Sequence, residues 1–194
     1  MKLLVIDNYD SFTYNLVYIL RQNKVGFEVY RNDKISPDLA SKYDGILLSP
    51  GPGIPNEAGN MPAIINQCAG KIPILGICLG HQALAEYLGG ELLNNPRVFH
   101  GVQTPIRLLK KESPLFNNIS QEILAGRYHS WEVSKKNLPD EIEITALDEH
   151  GSIMALEYSP KQLFGLQFHP ESIMTPEGPS IIQNFINICN DQKI

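Results

Sequence analysis

Three short segments of this 194-residue sequence carry side chains that could do chemistry together. The first is Gly76-Ile77-Cys78-Leu79-Gly80-His81-Gln82, a cysteine framed by glycines where the apolar run Pro73–Ile77 gives way to a helical pattern. This is the thiol counterpart of the G-x-S-x-G elbow, whose glycines permit a strained turn and let the helix pack close to the strand. Such a turn pushes the sulfur of Cys78 into a cleft, and the adjoining helix amino terminus favours thiolate over thiol. The second segment is Phe168-His169-Pro170-Glu171-Ser172, directly after the strand-like run Leu163–Phe168. His169 can serve a thiolate as base and acid, and Glu171 can lay a carboxylate against the imidazole, with Pro170 stiffening the spacing between them. The third is Ser49-Pro50-Gly51-Pro52-Gly53, after Gly45–Leu48. It could expose backbone N–H groups to an oxyanion, although spacing alone reads as a plain turn, and it lacks the G-x-x-x-x-G-K-[ST] pattern of a phosphate loop.

These segments need a scaffold that brings distant chain positions to one edge. Short apolar runs alternate with amphipathic stretches through the first half. Lys2–Ile6, Phe27–Tyr30, Gly45–Leu48 and Pro73–Ile77 read as buried strands. Between them, helices are expected from a cap at Asp10 or Ser11 to about Arg21, with Phe12, Leu16, Val17 and Leu20 on one face, and over Met61–Cys68. Another follows over about Gly80–Leu88, ending at Gly89-Gly90. The rhythm predicts an α/β fold with an open, mainly parallel central sheet and helices on both faces. In the second half, Val102–Leu108, Glu141–Leu147, Ile153–Tyr158 and Leu163–Phe168 lie close together and predict a small antiparallel sheet. A last helix is expected over roughly Glu177–Asn190, and Lys111–Asn118 and Lys135–Asp140 read as loops.

Composition narrows the function. Sixteen Lys+Arg against 21 Asp+Glu leave a formal net charge of −5, and the basic pairs Lys110-Lys111 and Lys135-Lys136 are isolated, so nucleic acid is not the expected partner. No apolar run approaches the ~20 residues that span a bilayer, so no membrane partner is expected. Met1–Ile6 meets Asp7 too early for a secretory signal. Three cysteines cannot all pair, which fits a reducing cytoplasm, and Cys68 and Cys189 lie on apolar helix faces as core residues. Without a C-x-x-C, no structural zinc is expected, and the chemistry above needs no metal or organic cofactor.

With these motifs in view, the chain closely resembles the class I, triad-type glutamine amidotransferases, and within them the small glutaminase subunits of anthranilate synthase and aminodeoxychorismate synthase. The resemblance covers essentially the whole chain as one domain, residues 1–194, and rests on Asp7–Asn15, Ser49–Gly53, Gly76–Gln82, Tyr128-His129-Ser130 and Gly165–Ser172. It implies that Cys78 is the nucleophile, His169 the acid/base and Glu171 its orienter. It implies further that the backbone N–H groups of Gly51 and Leu79 hold an oxyanion, and that Gly53, Gln82, Ser130 and Trp131 contact L-glutamine. The implied partner is a separate, large chorismate-binding synthase subunit that captures the ammonia. His81 and His129 adjoin motifs and are expected to orient backbone, whereas His100 and His150 have no supporting context. Members of this branch commonly carry a lysine after the His-Gly pair, where this chain has Val102 after His100-Gly101.

Overall fold

Apolar runs without polar alternation suit strands covered on both faces, and four such runs build the centre of the molecule. The computed structural model describes residues 1–110 and 112–191. In chain order its elements are β1 (Lys2–Asp7), α1 (Thr13–Gln22), β2 (Gly26–Arg31), α2 (Pro37–Ala40), β3 (Gly45–Leu48), α3 (Met61–Cys68), β4 (Ile74–Ile77), α4 (Leu79–Tyr87), β5 (Leu92–Asn94), β6 (Val102–Leu108), β7 (Glu122–Arg127), β8 (Trp131–Val133), β9 (Glu143–Asp148), β10 (Ile153–Tyr158), β11 (Leu163–Leu166) and α5 (Gly178–Asp191).

One nine-stranded sheet has the order β2-β1-β3-β4-β11-β10-β9-β6-β7. From β2 to β11 every neighbouring pair is parallel, and from β11 to β7 every pair is antiparallel. The second-half strands therefore pair as expected but extend the central sheet. The separate antiparallel sheet is the two-stranded β5–β8. The alternating side chains of β1 pack to opposite faces, Leu3 and Val5 with residues of α1 and α5, Leu4 and Ile6 with residues of α3 and α4.

The parallel block sets up the site. Strands β1, β3, β4 and β11 are neighbours, so Asn8–Phe12, Ser49–Gly53, Cys78 and Gln167–Glu171 all emerge from one sheet edge, the carboxyl-end edge where open α/β sheets bind ligands.

Several elements depart from expectation. The four-residue α2 and the strands β5, β7 and β8 are additional. β5 and β8 have three residues each, too few to show a period, and the Ala125-Gly126 pair in β7 obscures its alternation. Lys110 is not isolated: it pairs with Glu143 and lies 3.7 Å from buried Glu157. Lys111 falls outside the described residues. Among the described residues, no helix is long and apolar enough to cross a membrane.

Candidate active site

The elbow at the end of β4 is built by what its glycines leave out. A Cβ on Gly76 would come within 2.4 Å of the Gly80 backbone, and one on Gly80 within 2.7 Å of Leu48. Those absences let α4 start directly on the sheet. Cys78, between strand and helix, takes φ 51° and ψ −100°, a strained conformation for a residue with a side chain. Two backbone hydrogen bonds hold it there: its N–H donates to Leu166 O (2.7 Å), and its carbonyl accepts from Gln82 N (3.0 Å). Strain maintained in this way at a cysteine is characteristic of a functional position.

His169 follows β11 by three residues and is fastened from the antiparallel side. Its N–H donates to Gly126 O (3.0 Å), and its carbonyl accepts from Thr175 Oγ1 (2.7 Å), which itself accepts from Gly126 N (3.0 Å). The imidazole Nδ1 lies 2.7 Å from Glu171 Oε1, and both residues are buried. Burial alone would lower the His169 pKa; the charge of Glu171, helped by Cys78, outweighs it and holds the ring well above the ordinary histidine range. Nδ1 thus carries a proton toward Glu171, which leaves Nε2 for the chemistry. Among the described residues, Nε2 has no other nitrogen or oxygen partner.

A cleft of about 580 Å³ opens over these groups, lined by Cys78 and His169, by Tyr9–Phe12, by Pro50, Gly51 and Pro52, and by His100 and Tyr128. Its volume suits a small-molecule site. The Pro-Gly loop is braced by Asn8, whose N–H donates to Ser49 Oγ (2.9 Å) and whose Nδ2 donates to Ser49 O (2.7 Å). Gly51 fits where no side chain could, since a Cβ there would lie 2.6 Å from Asn8 Cβ and 2.8 Å from Leu79 Cδ2. Gly51 and Leu79, the first residue of α4, therefore meet beside the sulfur.

The remaining expected contacts flank the cleft. Gly53 (φ 76°) is exposed on the loop. Gln82 Nε2 donates to Trp131 O (2.8 Å) and to Gln167 Oε1 (3.2 Å). The Ser130 carbonyl accepts from Asn95 N (2.7 Å), and half-buried Trp131 pairs with Asn94 in the β5–β8 sheet. Of the nine expected site residues, Cys78, His169 and Gly51 line the cleft, and Glu171, Leu79, Gly53, Gln82, Ser130 and Trp131 do not.

Other groups at the site lie within or beside the motifs but are assigned no substrate or proton-transfer role from the sequence. Buried Gln167 donates from Nε2 to Cys78 Sγ (3.6 Å). Phe12 lies just before α1, where Asp10 Oδ1 accepts its N–H (2.7 Å), and its ring turns from the expected helix face to meet His169 edge-on at 5.6 Å. Tyr128 meets His169 at 4.9 Å. His100, without context in the sequence, stands on the cleft wall 6.0 Å from the Tyr128 ring. His129 binds Trp131 O through Nδ1 (3.0 Å) and so does orient backbone. His81 is fully buried against Gly165 and held neutral, its pKa lowered by burial to about 3.

The class-I glutamine amidotransferase profile matches residues 4–189. The chain belongs to this family. Among the relatives of this amidotransferase, anthranilate synthase component 2 of Cyanophora paradoxa is 45% identical over 191 residues, covering 97% of this chain and 100% of its own. Anthranilate synthase component 2 of Pseudomonas aeruginosa is 42% identical, covering 95% of this chain and 94% of its own. Among solved structures, a Thermoplasma acidophilum protein described as a candidate component of GMP synthase superimposes with a TM-score of 0.89 at 28% identity, covering 100% of this chain and 96% of that one.

Proposed function

We propose that this amidotransferase is the glutaminase subunit of an anthranilate synthase, hydrolysing L-glutamine and passing ammonia to a large chorismate-binding synthase subunit in the cytoplasm. The observation that carries the reading is the strained elbow cysteine sharing one cleft with a histidine whose far nitrogen is held by a buried carboxylate. The pathway is supported by the name shared by the two component 2 relatives.

In this reading the Cys78 thiolate attacks the side-chain amide carbon of glutamine. Charge develops on the carbonyl oxygen, and the N–H groups of Gly51 and Leu79 hold it; losing one such donor typically costs about 2.7–4 kcal/mol of barrier. The intermediate collapses as His169 gives its Nε2 proton to the departing nitrogen, releasing ammonia and leaving a γ-glutamyl thioester on Cys78. His169 then takes a proton from water, the resulting hydroxide attacks the thioester, and glutamate leaves as the thiolate reforms. Glu171 keeps Nδ1 protonated and stabilises the imidazolium. Gly53, Gln82, Ser130 and Trp131 hold the amino-acid end of the substrate.

Ammonia released into neutral water becomes ammonium and loses its nucleophilicity, so the product needs a nearby acceptor. Tyr9–Phe12 and Pro50–Pro52 rim the cleft mouth, and we place the synthase contact there. Glu57 follows this loop, its Oε2 standing where a side chain at Gly53 would meet it; complex formation and partner-stimulated turnover should weaken on charge reversal at Asp10 and Glu57, and unchanged behaviour would move the contact elsewhere. The reading as a whole is tested by pull-down with the large subunit of anthranilate synthase and with that of aminodeoxychorismate synthase, followed by product identification from chorismate and glutamine. Anthranilate is expected. 4-Amino-4-deoxychorismate alone would assign the chain to the other synthase, and no glutamine-dependent product with either would contradict the glutaminase reading.

A further inference from the structure

Behind the cleft, a buried polar relay runs from the sulfur to an ion pair between the ends of β7 and β9 in the antiparallel block. Arg127 and Asp148 are paired at 2.7 Å with both side chains only 1% exposed. Arg127 Nε donates to His129 Nε2 (3.1 Å), and the opposite ring nitrogen contacts Trp131 O (3.0 Å). The same carbonyl accepts from Gln82 Nε2 (2.8 Å), Gln82 Nε2 also meets Gln167 Oε1 (3.2 Å), and Gln167 Nε2 reaches Cys78 Sγ (3.6 Å).

Donor chemistry gives the relay one direction. A guanidinium has no acceptor, so His129 Nε2 must present its lone pair to Arg127 and the ring proton must sit on Nδ1. That N–H then donates to Trp131 O. A carbonyl only accepts, so Gln82 must turn its NH₂ to Trp131, and this same NH₂ requires Gln167 to present its oxygen to Gln82. The NH₂ of Gln167 is left for the sulfur, where a donor favours thiolate. Burial, then the Arg127 charge, lower the His129 pKa to about 3, consistent with a neutral ring of one tautomer. The other tautomer would set the Nδ1 lone pair against the Trp131 carbonyl and displace that peptide.

We infer that Arg127, anchored by Asp148, acts through the His129 tautomer as a positioning residue that fixes the Trp131 peptide and Gln82 for glutamine and aims the Gln167 N–H at Cys78. The glutamine part rests on the glutaminase reading above; the sulfur part does not.

Two amide substitutions at His129 separate this role from packing. In His129→Asn the carboxamide nitrogen takes the place of Nδ1 and still donates to Trp131 O, while Arg127 Nε loses its acceptor. In His129→Gln the far end of the amide faces Arg127, and Trp131 O loses its donor from residue 129 and keeps only the Gln82 amide. The relay predicts opposite responses in the complex with the synthase. The Asn variant should melt lower yet keep kcat/KM for glutamine within about threefold. The Gln variant should melt near the parent and lose about tenfold or more, mainly in KM, as expected for an unmade buried hydrogen bond. Activity that merely follows melting temperature, or is equal in the two variants, overturns the positioning role. Gln167→Met, which removes the donor to the sulfur, is read by the pH dependence of Cys78 alkylation with iodoacetamide, a measurement that needs neither glutamine nor partner. Its profile should move to higher pH, with alkylation at neutral pH slowed severalfold; an unmoved profile overturns the sulfur end, including where both His129 variants fail to fold. Parent protein that alkylates normally but never turns over glutamine would sink the glutaminase reading and leave the sulfur end standing.

Discussion

The parallel and antiparallel blocks of the sheet contribute to the site in different ways. The parallel block, β1 through β4 with β11, delivers the groups proposed to react by strand order: adjacent carboxyl ends place Cys78, Gly51 and His169 around one cleft. The antiparallel block adds Tyr128 to the wall, ties the His169 backbone to Gly126, and supports Trp131 from behind through Arg127 and His129. One block is built from apolar runs and glycine gaps. The other sets a buried ion pair and directed hydrogen bonds beneath the site. A change in the first should act on the chemistry directly, whereas a change in the second should act on stability and on substrate positioning.

The largest effect expected from that contrast is at the elbow. Cys78→Ala should lower glutamine-dependent product formation by about 10⁴-fold or more, as removal of a nucleophile does, while synthesis from added ammonium by the complex continues. Glu171→Gln should cost about 10²–10⁴-fold in kcat with little change in KM, since orientation and charge at the imidazole are lost but the cleft is not. The pH dependence of this variant has a definite sign. Glu171 raises the His169 pKa, so its neutralisation should let the imidazolium deprotonate at lower pH and shift the alkaline limb of the rate profile downward. An unmoved limb would separate Glu171 from the acid step.

In the antiparallel block, Arg127→Met leaves Asp148 buried without its ion-pair partner, and chemical denaturation should show about 3–5 kcal/mol of lost stability. Gly80→Ala drives a Cβ to within 2.7 Å of Leu48 and should cost about 1–3 kcal/mol, with a larger loss of turnover than Arg127→Met shows under folding conditions. The smallest and most gradual effect is acid sensitivity. His81 and His129 have folded pKa values near 3, below the ordinary 6.5. As pH falls below about 6.5 the unfolded chain binds protons that the folded chain refuses, so melting temperature should decline steadily toward pH 4, and leucine at His81 should flatten that decline.

The same division governs what could be read from the sequence. β3, α3, β6 and β10 match their expected bounds, because long apolar runs and helical spacing are local signals. The residues proposed to react carry local signals too: glycines around a cysteine and a His-Pro-Glu after a strand are patterns within a few residues. The relay role of Arg127, the place of Gln167 beside the sulfur and the site roles of Phe12 and His100 were not legible, since each depends on a partner on another element, from 21 residues away for Arg127–Asp148 to 89 for Gln167–Cys78. Gln167 reads as an ordinary polar residue until Cys78 and Gln82 surround it. Phe12 belongs by spacing to the apolar face of α1, yet the helix starts one residue later and the ring enters the cleft. β5 and β8 escaped because three-residue strands carry too little pattern to announce their pairing.

In the mechanism proposed for this amidotransferase, the elbow sulfur becomes covalently acylated by glutamine. Rapid acid quench of the synthase complex turning over isotope-labelled glutamine, followed by mass spectrometry of the peptides, addresses it directly. A γ-glutamyl adduct is expected on the peptide containing Cys78, absent in Cys78→Ala. Active turnover with no adduct on Cys78 at any quench time, or an adduct on Cys68 or Cys189 instead, would contradict it.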